Sequence, residues 1–271
     1  MTAQVRATGG AERAQAPAES GTAARLLALA RAELTLLGRN KAALWTALVL
    51  PVALAFAMKG AVENLVSGTG LSAGAVLLPA TLGYVLLFAV YSTLTGAYVA
   101  RREELVLKRL RTGELRDTEI LAGTALPAVL LGLVQCVLLV VLGGLVLDAG
   151  LPGAPHLLIA GVVLGTAVVV GVAAASSVFA RSAEAAQLTV LPFMLVALAG
   201  SGMVVPPSLL PERVADVCEL LPLSPAMELI RAGWTGGEGL KETLGHLLTG
   251  LAWTVLALFA VQRWFRWEPR R

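Results

Sequence analysis

Apolar residues in this chain come in long, nearly uninterrupted runs, and polar residues are gathered into short stretches between them. A run of roughly 20 apolar residues crosses a bilayer as a helix, because a helix satisfies its own backbone polar groups where no water can. Six such runs lie near 42–62, 77–100, 119–147, 157–180, 187–205 and 244–263. The third is longer than a bilayer requires, so it is expected to tilt or to begin outside the hydrocarbon.

Ahead of the first run, Leu27, Ala30, Leu34 and Leu37 recur at helical spacing, with Arg25, Arg31 and Glu33 elsewhere around the wheel. The pattern over 22–38 suits an amphipathic helix lying in the membrane interface, or the polar start of the first span. Residues 1–21, rich in Ala, Gly, Thr and Glu, lack the apolar core of a signal peptide and read as a disordered cytoplasmic arm. The expected division is an arm at 1–21 and a membrane domain at 22–271.

A different pattern follows the fifth run. After Val205-Pro206-Pro207-Ser208, the residues Leu209, Leu210, Val214, Val217, Cys218 and Leu221 form an apolar stripe opposite Glu212, Arg213, Asp216 and Glu219. Ser224 as N-cap and Pro225 at the first helical position open a second short helix. Neither piece is long enough to span. The pair is expected to dip into the outer leaflet or to lie on it, a plain outer loop being the alternative. In the first case Pro206, Pro207, Ser224 and Pro225 stand at an outer gate.

Composition turns these runs into a class. With 57% hydrophobic and 14% charged residues and a mean hydropathy of +0.78, the chain has more apolar surface than one soluble core buries. The fold class expected is therefore an all-α integral membrane protein. Of the 21 Lys and Arg residues, all but Lys59, Arg213, Arg231 and Lys241 fall on one side if the N-terminus is inside. That asymmetry places both termini in the cytoplasm. The pI near 9.1 then follows from topology and asks for no nucleic-acid partner. The surplus of Arg over Lys, with abundant Ala, Gly and Leu, points to a GC-rich bacterial genome and so to a bacterial plasma membrane. Cys136 and Cys218 imply no disulfide framework.

The span interiors are chemically sparse. Gln135, Thr166, Ser176, Ser177, Tyr84 and Tyr91 supply most of the polar content, while Glu119 and Gln187 fall at cytoplasmic ends. A proton- or sodium-coupled transporter needs ionisable side chains facing a cavity at mid-depth, so energy for transport is expected from elsewhere. The sequence contains no Gly-rich lysine loop, zinc-protease helix motif or paired-cysteine metal site. Ser201, within Gly200-Ser201-Gly202, and His246 offer the alternative of an intramembrane serine protease dyad, although the tripeptide lacks the usual motif spacing. Gly161 and Gly165 match the small-xxx-small pattern of close helix packing, including packing between two copies.

The densest charge runs from Arg101 to Asp117. Within it Leu105, Val106, Leu110 and Leu115 alternate with Arg and Glu in a helical pattern that Thr112-Gly113 breaks. A short amphipathic helix here presents Glu103, Glu104, Lys108, Arg109 and Arg111 to the cytosol. The alternative is a solvated loop helix whose arginines hold topology.

Taken in order, these features resemble the type-2 class of ATP-binding-cassette (ABC) transporter permeases, the drug- and polysaccharide-export class. The resemblance covers nearly all of the chain. It rests on the interfacial helix, the six spans, the block Arg102-Glu-Glu-Leu-Val-Leu-Lys-Arg-Leu-Arg-Thr-Gly-Glu-Leu-Arg-Asp-Thr-Glu-Ile-Leu-Ala-Gly123, and Leu221-Pro-Leu-Ser-Pro-Ala-Met-Glu-Leu-Ile-Arg231 before the sixth run. Many members carry a proline where this chain has Gly113. The resemblance implies six transmembrane helices, a cytoplasmic coupling helix at the first block and outer re-entrant helices at the second. It also implies that Arg101, Arg102, Glu103, Glu104, Lys108, Arg109, Arg111 and Arg116 couple the chain to a separate ABC ATPase subunit, where ATP and Mg bind. A second permease copy or paralogue then completes the pathway, and a hydrophobic or amphipathic small molecule, such as a drug or antibiotic, is exported. Tyr84, Phe88, Tyr91 and Phe193 are candidates for lining the path, or are ordinary packing and lipid-facing residues. A non-transport membrane scaffold and a secondary transporter are the other readings.

Overall fold

The computed structural model describes residues 73–112, 116–146, 150–204, 210–237, 239–265 and 267–268, with single positions between 35 and 64. Among these residues the regular structure is helical, with no strand. Five helices are long and apolar enough to cross a membrane. They are α1 (Ala73–Glu103), α3 (Asp117–Val146, apolar to Gly144), α4 (Pro155–Ser177), α5 (Ala183–Gly200) and α8 (Leu240–Trp264). They correspond to the second through sixth apolar runs. The first run falls almost wholly outside the described residues, as does the interfacial helix at 22–38, and the arm at 1–21 falls wholly outside them. Three shorter helices complete the description: α2 (Val106–Arg111), α6 (Glu212–Glu219) and α7 (Ser224–Thr235).

The length of the third run has a simple explanation. The first turn of α3 carries Asp117 and Glu119, and it stands beside the charged block, so the helix starts among polar groups before its apolar part begins. In α1 the residues Val85–Ser92 wind as a π-helix, a local widening that is rare and recurs at functional sites.

Among the described residues the most extensive helix packing joins α7 to α4, and glycine makes it possible. A Cβ on Gly161 would stand 2.8 Å from both the Ala226 carbonyl oxygen and the Ile230 nitrogen. One on Gly165 would meet Leu86 Cδ1 at 2.7 Å and Ala226 Cβ at 3.2 Å, and one on Gly233 would meet Leu158 Cα at 2.7 Å. These pairs run in opposite directions along the two helices, so α7 is antiparallel to α4. The small-xxx-small pair is therefore occupied inside the chain by α7, and not by a second copy.

That packing also decides how the outer pair sits. Leu223, just before α7, lies near Gly165, which is roughly 15 Å along α4 at 1.5 Å per residue. About 15 Å is half the thickness of the hydrocarbon. Leu223 therefore stands level with the middle of α4, and the segment folds as the two helices α6 and α7 where a plain loop was the alternative. Trp253 in α8 donates its indole N–H to the Leu220 carbonyl at 2.9 Å, tying the turn between α6 and α7 to the last span.

Candidate functional site

The charged block begins where α1 ends. After Glu103 the chain turns through Leu105, whose φ of 59° is the one left-handed conformation of a non-glycine residue among those described. An L-residue enters this region only against a steric penalty, so its neighbours must hold it. On one side the Leu105 N–H donates to the Arg102 carbonyl at 3.1 Å. On the other, Leu107 in α2 is fully buried. The outcome is a sharp corner that lays α2 across the end of the bundle.

Arg102 does not share the exposure of its neighbours. It is 1% exposed, and its guanidinium donates from Nη1 to the Ser177 carbonyl at 3.0 Å and from Nη2 to the Ala180 carbonyl at 2.5 Å. These are acceptors that the end of α4 leaves without helical partners, and a cation there also meets the negative end of the helix dipole. Glu103 completes the joint by accepting the Ala183 N–H at 2.8 Å, while Ser182 accepts the Ala185 N–H at 3.1 Å and caps the start of α5. Val99, Ala180 and Ala186 pack beneath. Arg102, one of the residues the family resemblance assigns to ATPase coupling, is therefore an internal bolt between α1 and the α4–α5 connection, because its position on α1 faces the end of α4.

The remaining charges surround α2. Glu104, Lys108, Arg109 and Arg111 are exposed. Lys108 pairs with Glu268 at 2.8 Å. Arg111 Nε pairs with Asp117 at 3.1 Å, and its guanidinium stands 4.9 Å above the Trp267 ring. At the start of α3 the Glu119 carboxylate accepts the Arg116 N–H at 2.8 Å, one half of a capping box. Arg101 is half-buried in the last turn of α1. The block thus reaches α1, α3, α4 and α5 through named polar contacts. Nothing in the spacing of charges marks Trp267 and Glu268; the sequence signal for them is the cluster of Trp264, Phe265 and Trp267 after the last apolar run. Gly113, the family's proline position, lies outside the described residues.

The aromatic candidates separate. Tyr91 is fully buried, donates to Ser176 Oγ at 3.1 Å and packs against Phe193 with ring centroids 4.8 Å apart, joining α1, α4 and α5. Tyr84 is half-buried and donates to the Met203 carbonyl at 3.4 Å, and Phe88 is 51% exposed. Phe193 is half-buried.

At the far end, Ser224 Oγ donates within reach of the Gly200 carbonyl at 3.3 Å and Ser201 Oγ at 3.2 Å. Arg231 donates to the Ser201 carbonyl at 3.0 Å while paired with Glu228. This network fastens the end of α5 to α7. Pro225 is buried in the first turn of α7, whereas Pro206 and Pro207 lie outside the described residues. Ser201 is fully buried and its hydroxyl is engaged with Ser224, not with His246, so the protease dyad is not assembled. Among the described residues no three His, Cys, Asp or Glu side chains gather as metal ligands. Mid-way along α3, the Gln135 amide is buried with neither its nitrogen nor its oxygen hydrogen-bonded among the described residues.

No curated protein matches the chain in sequence. A family model described as ABC-2 type transporter matches residues 24–234. The match includes all of α1, α2, α3, α4, α5 and α6 and most of α7, with the charged corner ahead of the α6–α7 pair. The chain belongs to the ABC-2 type transporter family and is a multi-pass membrane component of a transporter.

Proposed function

We propose that this chain is the permease subunit of an ABC exporter, worked by a separate ABC ATPase that docks on α2. The observation that carries the reading is the wiring of the charged corner. A force on α2 is delivered to α1 through the corner at Leu105, to α4 and α5 through Arg102 and Glu103, and to α3 through Arg111 and Asp117. Coupling needs such a rigid lever, since a ligand shifts an equilibrium only by contacts that differ between the two states. The bias of Lys and Arg toward the α2 side puts that side in the cytoplasm, where ATP is, and the α6–α7 pair on the outside.

A second permease copy or paralogue closes the pathway, with Tyr84, Phe88 and Phe193 near the path and Tyr91 holding its wall. The spans carry few ionisable groups, which favours a hydrophobic or amphipathic small molecule as cargo, a drug or antibiotic among them. The bacterial plasma membrane is the setting. ATP and Mg belong to the partner, whose closure on nucleotide moves α2 and through it the spans.

Reconstitution with the ABC ATPase that co-purifies with the tagged chain tests this. ATPase activity is expected to rise in the complex and to lose that stimulation in Arg109→Glu, with insertion unchanged. In a Cys218→Ala background, a cysteine at Arg213 is expected to react with an impermeant thiol reagent from outside and one at Thr112 is not. Full stimulation of the Arg109→Glu complex would remove α2 as the contact; reversed labelling would invert the topology.

A further inference from the structure

α2 is too short to hold itself together. Six residues form fewer than two helical turns, well below the length at which a helix persists alone, and Leu107 is its one buried side chain. Its support on the solvent side comes from the segment that follows α8. There Phe265 stands edge-on to both Tyr98 (centroids 6.0 Å apart) and Trp267 (5.0 Å), Trp267 lies under Arg111, and Glu268 pairs with Lys108.

The two ends of this ladder differ in strength. At its base Tyr98 is 1% exposed and its hydroxyl donates to the Leu121 carbonyl at 3.0 Å, so Phe265 leans on a fixed ring. At its tip the Lys108–Glu268 pair is more than half exposed on both sides, and exposed ion pairs and cation–π contacts are individually weak. A firm base with a weak tip steadies a helix without freezing it.

We propose that Phe265, Trp267 and Glu268 are positioning residues for the coupling step. They hold α2 in the orientation that the ATPase meets, so that docking does not have to order α2 as well. Preorganised partners bind more tightly because that ordering has already been done. This rests on the reading of α2 as the ATPase contact. The family match ends at residue 234, so the strap is a feature of this chain that the family match does not supply.

Hydrogen exchange on the full chain in lipid nanodiscs, without ATPase, tests the strap directly. Phe265→Ala, which removes both ring contacts of the ladder, is expected to speed exchange of the 106–112 amides about tenfold, and Glu268→Lys, which removes one exposed ion pair, about threefold, with α4 amides unchanged. Lys108→Glu combined with Glu268→Lys is expected to restore slow exchange, which a general loss of stability would not do. In the complex, Phe265→Ala is expected to raise the half-saturating ATPase concentration about tenfold while leaving the maximal rate of hydrolysis unchanged. Unaltered exchange at 106–112 in both single variants overturns the strap. Faster exchange with unchanged or tighter ATPase binding overturns its role in coupling. If no ATPase binds the parent chain, the reading of α2 as the contact fails, and the exchange result still decides whether the strap exists.

Discussion

Replacing Gly161 by alanine adds one methyl group where the structure has no room for it. The new Cβ would lie 2.8 Å from the Ala226 oxygen, the Ile230 nitrogen and Ile230 Cγ1, whereas carbon contacts are comfortable at about 3.5–4.0 Å. Two of the three atoms belong to the backbone of α7 and cannot rotate away, so α7 must retreat by most of an ångström or α4 must bend. Overpacking of this kind costs about 1–3 kcal/mol. Alanine also gains roughly 0.5–1 kcal/mol over glycine inside a helix, and a control removes that contribution. Gly245 in α8 has nothing within 4 Å of its virtual Cβ, so Gly245→Ala keeps the helix gain and adds no clash. Thermal unfolding in detergent, followed by intrinsic tryptophan fluorescence, is expected to place Gly161→Ala below Gly245→Ala. At roughly 2–4 °C per kcal/mol for a chain of this size, the gap is several degrees. Equal melting temperatures would show that α7 does not sit in the glycine groove of α4, and the placement of Leu223 level with the middle of α4 would fall with it.

Two further outcomes follow from buried polar groups. Arg102→Met keeps the apolar stem but leaves the Ser177 and Ala180 carbonyls without their donor; at about 1.5–3 kcal/mol per hydrogen bond to a charged group, offset by no longer burying a cation, a net loss of about 3 kcal/mol is expected in thermal melts, and a parent-like melting temperature would rule out the bolt. Gln135→Leu removes an amide whose two polar atoms are buried without partners among the described residues, a state that costs about 1–3 kcal/mol; the variant is expected to melt higher than the parent, and a lower value would mean that the amide is satisfied in the folded protein.

The apolar runs and the side-to-side imbalance of Lys and Arg were legible along the chain, because the cost of placing backbone and charge in hydrocarbon is paid residue by residue. For that reason five of the six expected spans appear where the runs lie, and α2 falls inside the charged block. Contacts between distant segments carry no such local mark. Gly161 and Gly165 announce that something comes close, but a missing side chain does not name its partner; the antiparallel approach of α7 supplies it. Arg102 and Arg109 look alike in sequence, and only the direction each takes from its helix makes one a buried bolt and the other a surface charge. Tyr91 and Phe88 are both aromatic residues of α1, one sealed in the core and one facing outward. Trp267 and Glu268 gain a role only when the end of α8 is brought beside α2. Hydrophobicity and charge act locally, and so the sequence by itself determined the membrane class, the apolar spans and the place of the charged corner. Which faces meet depends on shape matching over the whole bundle, and that only the tertiary structure decided.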